Sequence, residues 1–206
     1  MKGHQKFFSV QRLTLIAILA AIAIVLYTPP MQIPIVLFYK LDFSNIPVLL
    51  GTFAMGPLTG TIILLLKSSI GILFSSSLGV GELADFLMGL AMVLPAGLIY
   101  KRNKSRRKAI LGMAIGSVAA TAAGVLLNAF LLIPFYAAVF NMPVDSIIAM
   151  GQGVVPVVDS VWKLVLMITA PFNVLKWAAI SLVGGMIYKP LSPVLHGRKV
   201  HHCEFN

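Results

Sequence analysis

Asn173 and Lys176 stand three residues apart in the run PFNVLK, residues 171–176. That spacing puts a carboxamide and an ammonium on one face of a helix. A second carboxamide, Asn128, lies inside the apolar run GVLLNAFLLIPF, roughly 9 Å short of Pro134 at helical rise. Glu82 and Asp85 occupy the opening turn of another apolar run, and Lys67 sits in the middle of a third. Amides offer both donors and acceptors, whereas lysine offers donors alone. Set into apolar walls, such groups match the edge of a planar heterocycle with alternating carbonyl and N–H positions. Phe38, Tyr39, Phe43, Phe172 and Trp177 are available for its flat faces. Each residue also has a plainer explanation. A single Asn in a membrane helix commonly serves as interhelical glue, and Glu82 suits a helix N-terminus. Lys176 either snorkels to an interface, pairs with Asp85, or holds a ligand.

The elements that must position these groups are membrane helices. Apolar residues make up 59% of the chain and charged ones 11%, with mean hydropathy +0.96. A spanning helix needs about 20 mostly apolar residues, and the chain offers such runs repeatedly. The reading is all-α: a single transmembrane domain over 1–206, an integral membrane bundle of six helices. The expected spans are 9–28, 44–56, 60–74, 82–100, 109–134 and 171–189. The last opens at Pro171, whose missing N–H is no loss at a helix start. The stretch 29–43 carries Pro29, Pro30 and Pro34, so it is no simple helix. It is apolar enough to fold back over the bundle as a lid-like outer loop. A second long outer connection is expected over 137–170. The first run ends in Tyr27-Thr28-Pro29-Pro30 without a small-residue cleavage site, and reads as a retained span.

Charge sets the orientation. Of the 16 lysines and arginines, all but Lys40, Lys67, Lys163 and Lys176 fall at one end of the spans if both termini are cytoplasmic. All acids except Glu204 then fall on the outer half, as the positive-inside rule requires. The net charge of +10 is thereby explained by topology, and the run KRNKSRRK is an anchor, not a nucleic-acid site. In this orientation the apolar loop, Glu82, Asp85, Asn128, Asn173 and Lys176 converge near the outer surface. Ala17 and Ala21, four apart on the first span, allow another helix to approach closely. The single cysteine, Cys203, excludes an internal disulfide and any cysteine-based metal cluster. A metal site built from His196, His201, His202 and that thiol is not expected.

The stretch LDFSNIPVLLGTFAMGPLTG at 41–60, Asn128 followed by LLIPFY, and PFNVLK at 171–176 resemble the riboflavin-specific substrate-binding component of energy-coupling-factor vitamin transporters. The resemblance covers nearly the whole chain. It implies high-affinity binding of riboflavin from outside, with riboflavin the transported substrate and no cofactor. It further implies a transmembrane coupling protein and two ATP-binding cassette ATPases as partners, in a prokaryotic plasma membrane. By that resemblance Asn128, Asn173 and Lys176 hydrogen-bond the ring. Tyr39, Leu41 and Phe43 belong to the lid, Glu82 and Asp85 complete the ligand-binding set, and the Ala17/Ala21 face docks on the coupling protein. Two departures stand out. The family often has a carboxylate where this chain has Leu64, which argues against an ion pair at the level of Lys67. Glu82 and Asp85 replace amides common in relatives.

Three rivals have discriminating features. A related component for another vitamin or heterocyclic precursor differs only in its ligand. An intramembrane enzyme using Glu82, Asp85 and Lys67 is opposed by the lack of HExxH, of Gly-x-Ser-x-Gly and of any His in a span. A self-contained carrier is expected to show inverted repeats of broken spans, and none is visible. The chain has no GxxxxGK[ST] loop, so it does not hydrolyse ATP by that route.

Overall fold

The computed structural model describes residues 9–36 and 39–195, with side chains to Tyr188. Helix α1, Val10–Tyr27, is capped by Ser9, whose hydroxyl accepts from the Arg12 amide. The prolines that follow stop it, as the missing N–H groups dictate. The stretch beyond is more ordered than a loop. A 3₁₀ turn at Pro29–Met31 leads into an antiparallel hairpin, β1 (Ile33–Val36) with β2 (Tyr39–Leu41). The fold is therefore mostly helical with one small sheet, a correction to the all-α expectation.

Helix α2, Asn45–Met55, holds 11 residues, about 16 Å at helical rise against the roughly 30 Å of a hydrocarbon core. The expected second span is thus too short to cross by itself. Gly56, at φ +102°, turns the chain, and Pro57 opens α3, Pro57–Gly71. The Arg12 guanidinium donates to the Met55 carbonyl at 2.5 Å, capping α2 with a cation where its dipole is negative. Helix α4 is Val80–Arg102 and α5 is Arg106–Leu127. A π-helical turn, Asn128–Leu132, carries α5 into α6, Ile133–Val139, so this column is longer than the expected 109–134. The expected outer connection contains α7, Val144–Gln152.

The last column also departs from expectation. It starts as α8 at Val161–Leu164, passes through a π-helical turn at Val165–Thr169, and continues as α9, Ala170–Leu195. Pro171 therefore lies inside a helical column and does not open it. The physical reason is visible at both interruptions. Each π turn ends two residues before a proline, Pro134 or Pro171. A proline lacks the N–H for the i−4 carbonyl and crowds it, and a widened turn relieves that conflict without ending the helix. Among the described residues, five helical columns are long and apolar enough to cross a membrane: 10–27, 57–74, 80–102, 106–139 and 161–188.

Three apolar clusters hold the elements together. One joins α2, α4, α5 and α9 around Phe53, Met92 and Trp177; another joins α1, α2, α3 and α4 around Ala23, Ile63 and Leu64. The third seats Tyr39 of the hairpin against Ile133, Ile147, Leu164 and Ile168. The tightest helix pair is α4 with α5. Gly112 and Gly116, one turn apart, face the backbone of Ala96 and Met92, and a Cβ on Gly116 would lie 2.6 Å from the Met92 carbonyl oxygen. This small-xxx-small pair is the close-approach motif of membrane helices. Gly116→Val should force the helices apart and cost about 1–3 kcal/mol, the usual penalty of overpacking. Detergent-resistant unfolding would measure it; a variant as stable as the parent would show that the pair tolerates separation.

Candidate functional site

The expected site residues draw buried polar side chains into two connected groups. In the upper group, the Tyr39 hydroxyl donates to Asn128 Oδ1 at 3.0 Å, and Thr169 Oγ1 lies 2.5 Å from the same hydroxyl. A tyrosine has one proton, so the threonine donates to it. Burial pushes the Tyr39 phenol well above its ordinary range, which keeps it a neutral hydrogen-bonding group. Asn128 Nδ2 donates to the Gly124 carbonyl at 2.7 Å, and Asn173 Nδ2 donates to the Thr169 carbonyl at 2.9 Å. Both asparagines thus reach back one turn, and both lie against Gly124: a Cβ there would come within 2.9 Å of Asn173 Nδ2. Asn128 and Asn173 are 1% and 2% exposed. The Tyr39 ring stacks on Phe172, centroids 5.2 Å apart at 26°.

One turn along α9, Lys176 belongs to the second group. Its Nζ donates to Asp42 Oδ2 at 3.0 Å and to Asp85 Oδ1 at 3.2 Å. Asp85 Oδ2 takes Lys67 Nζ at 2.6 Å, and Lys67 also donates to Ser44 Oγ at 3.1 Å and Asn45 Oδ1 at 3.0 Å. Asp42 Oδ1 accepts from the Ser44 amide and hydroxyl. Lys67 lies 4.9 Å from the centroid of the Tyr27 ring. Two lysines and two aspartates, all buried, balance in charge. That balance is what makes four ions tolerable away from water.

The sequence-expected residues are thus distributed as follows. Asn128, Asn173 and Tyr39 share one network; Lys176 and Asp85 share the next, joined through α9. Leu41 and Phe43 are half-buried beside it, Leu41 at the end of the hairpin ladder and Phe43 against the cluster around Trp177. Glu82 stands apart from both networks, accepting from Ser75 Oγ at 2.6 Å and Ser77 Oγ at 3.3 Å. Phe38 and the tail group His196, His201, His202 and Cys203 lie outside the described residues. Ala17 and Ala21 are exposed, whereas Ala20 and Ala23 on the opposite side of α1 pack in the core. The argument from Leu64 against an ion pair near Lys67 is overturned: the partner comes from α4, and Leu64 is buried against Gly89.

Sequence reasoning missed Asp42, Ser44, Asn45 and Thr169. The available signal was a cluster, Asp42-Phe43-Ser44-Asn45, of polar groups inside an otherwise apolar stretch. Asn173 Oδ1 takes no hydrogen bond among the described residues, so the two buried asparagines present an unused acceptor edge. An aromatic pair from the hairpin and α9 stands beside it.

Comparison with known proteins adds a family. A sequence profile described as the substrate-specific component of ECF transporters matches residues 11–188. The riboflavin transporter RibU of Staphylococcus aureus (strain TCH60) is 34% identical over 198 residues, covering 95% of this chain and 98% of that protein. The riboflavin transporter FmnP of Bacillus subtilis (strain 168) is 26% identical, covering 95% and 99% respectively. A solved S component of a bacterial ECF transporter superimposes with TM-score 0.68 at 34% identity, over 90% of this chain and 97% of that one.

Proposed function

The chain belongs to the family of substrate-specific components of ECF transporters, and we propose that it is the riboflavin-binding component of such a transporter. It is a multi-pass cell-membrane protein and a transport component, not an enzyme. The observation that carries the ligand is likeness over nearly the full length to proteins named as riboflavin transporters. The two buried asparagines supply the chemistry.

In this reading Asn128, Asn173 and Lys176 face the carbonyl and N–H edge of the isoalloxazine ring, and the stacked pair Tyr39 and Phe172 packs against one of its faces. Leu41 and Phe43, at the base of the hairpin, complete the lid; Asp85 and Glu82 line the outer rim. Asp42 holds the Lys176 ammonium until ligand arrives. The hairpin opens toward the exterior, both termini are cytoplasmic, and α2 with α3 makes up a bent pair that completes a six-helix bundle. Charge supports the orientation: the exposed basic run 101–108 joins α4 to α5 at one end, and the hairpin and Asp145 lie at the other. The transporter is completed by a transmembrane coupling protein and two ATPases. Ala17 and Ala21, small and turned away from the core, are the docking face for the coupling protein. Riboflavin is substrate here, and no cofactor is needed.

Riboflavin fluorescence tests the ligand directly. Purified protein should quench it with one-to-one saturation, and in cells uptake should vanish when the ATPases are removed. Saturable binding of a different heterocycle, with no quenching of riboflavin, would replace the ligand while leaving the family unchanged.

A further inference from the structure

The outer faces of α5 and α9 enclose a groove of about 1360 Å³, larger than the 300–1,000 Å³ usual for small-molecule sites. On α9 its lining residues, Val174, Ala178 and Leu182, lie on the side of the helix turned away from Asn173 and Lys176. Its walls are apolar and open: Val118 is 71% exposed and Leu182 66%. A hydrogen bond between Ser117 and Ser181, 3.2 Å, satisfies the polar groups at its floor. The lining runs from Arg106 to Ala122 along α5, about 24 Å at helical rise, which exceeds the roughly 15 Å depth of one leaflet's hydrocarbon.

One end of the groove is chemically different from the rest. Lys104, Ser105 and Arg106 form the mouth, with Tyr100 and Tyr188 just inside, hydroxyls 2.7 Å apart. Lys104 and Arg106 are exposed, and among the described residues neither has an ion-pair partner. The mouth is also the N-terminus of the 22-residue helix α5, the positive end of its dipole. A long apolar trough with a cationic end is complementary to an amphiphile with one anionic head. A second copy of this chain is a poor occupant, because it brings the same basic run and a net charge of +10 to the same mouth.

From this geometry we infer that the α5–α9 groove is a binding site for an anionic phospholipid, its acyl chain along Val118 and Leu182 and its phosphate at Lys104 and Arg106. The test is native mass spectrometry of the full-length protein in detergent supplied with phosphatidylglycerol or phosphatidylcholine at equal concentration. One phosphatidylglycerol should be retained about 30-fold more strongly, the preference expected from two basic side chains beside an anionic lipid. Lys104→Gln with Arg106→Gln should bring the two lipids to near parity. Ala178→Trp with Leu182→Trp, which fills the trough, should lose both, while riboflavin quenching stays intact as a check on folding. Should the tryptophan variant not fold, the glutamine variant decides, since its changes are on exposed side chains. Glycerol phosphate should not displace the lipid if the acyl chain is held. Equal retention of the two lipids by the parent, retention unchanged in the glutamine variant, or a protein dimer at this face would each overturn the site.

Discussion

Lys176→Met is expected to destabilise the purified protein by about 3–5 kcal/mol, the cost of leaving one buried charge without its partner. The parent network holds Lys67 and Lys176 against Asp42 and Asp85, and loss of one lysine leaves a buried carboxylate uncompensated. The companion change decides whether charge is the cause. Lys176→Met combined with Asp42→Asn returns the cluster to a neutral Lys67–Asp85 pair, and most of the lost stability should come back. Unfolding titrations in mixed micelles measure both variants. If the double variant is no better than the single one, packing around Lys176 and not charge balance sets its importance. Riboflavin quenching on the same samples separates two roles. A double variant that is stable yet fails to bind places the ammonium on the ligand, whereas one that binds normally makes Lys176 a purely structural ion.

Asn173→Ala should weaken riboflavin binding about 10- to 100-fold, the worth of about one to three kcal/mol for a lost buried hydrogen-bond partner. Its stability should change little, because the amide donates only to the carbonyl one turn back and its oxygen is otherwise unengaged. Asn128→Ala is expected to behave differently. It removes the acceptor for Tyr39 as well as the donor to Gly124, so affinity and stability should fall together as the hairpin loosens. The two effects should combine less than additively, since both side chains pack at Gly124. Fluorescence titration with parallel unfolding curves reads all of this. An Asn173→Ala protein with parental affinity would take that amide out of the site.

Much of the candidate site was legible before folding because it is made of unusual residue types in an apolar context. Asn128, Asn173, Lys176, Lys67 and Asp85 are conspicuous in a chain that is 59% apolar; each needs a polar partner wherever it goes. Asp85 as a partner for Lys176 was among the readings of the sequence; the other partners were not legible. Lys176 finds Asp42 across 134 positions, and Tyr39 finds Thr169 across 130. No periodicity within a helix encodes such a meeting. Leu64 misled because the carboxylate that Lys67 needs arrives from a neighbouring helix.

Hydropathy and the placement of lysine and arginine determined, from sequence alone, that this is a membrane bundle, because the cost of exposing polar groups to lipid depends on composition summed over about 20 residues. Proline rules marked where backbone hydrogen bonds fail. Only the tertiary structure decided how each failure was absorbed: Pro29 and Pro30 end a helix, while Pro134 and Pro171 follow π turns inside continuing columns. A missing N–H is a local fact, but whether the helix continues depends on neighbours that hold the widened turn in place. The same division separates the charged groups, whose presence is written in the chain, from the neutral four-ion cluster, which exists only where three helices and the end of a hairpin meet.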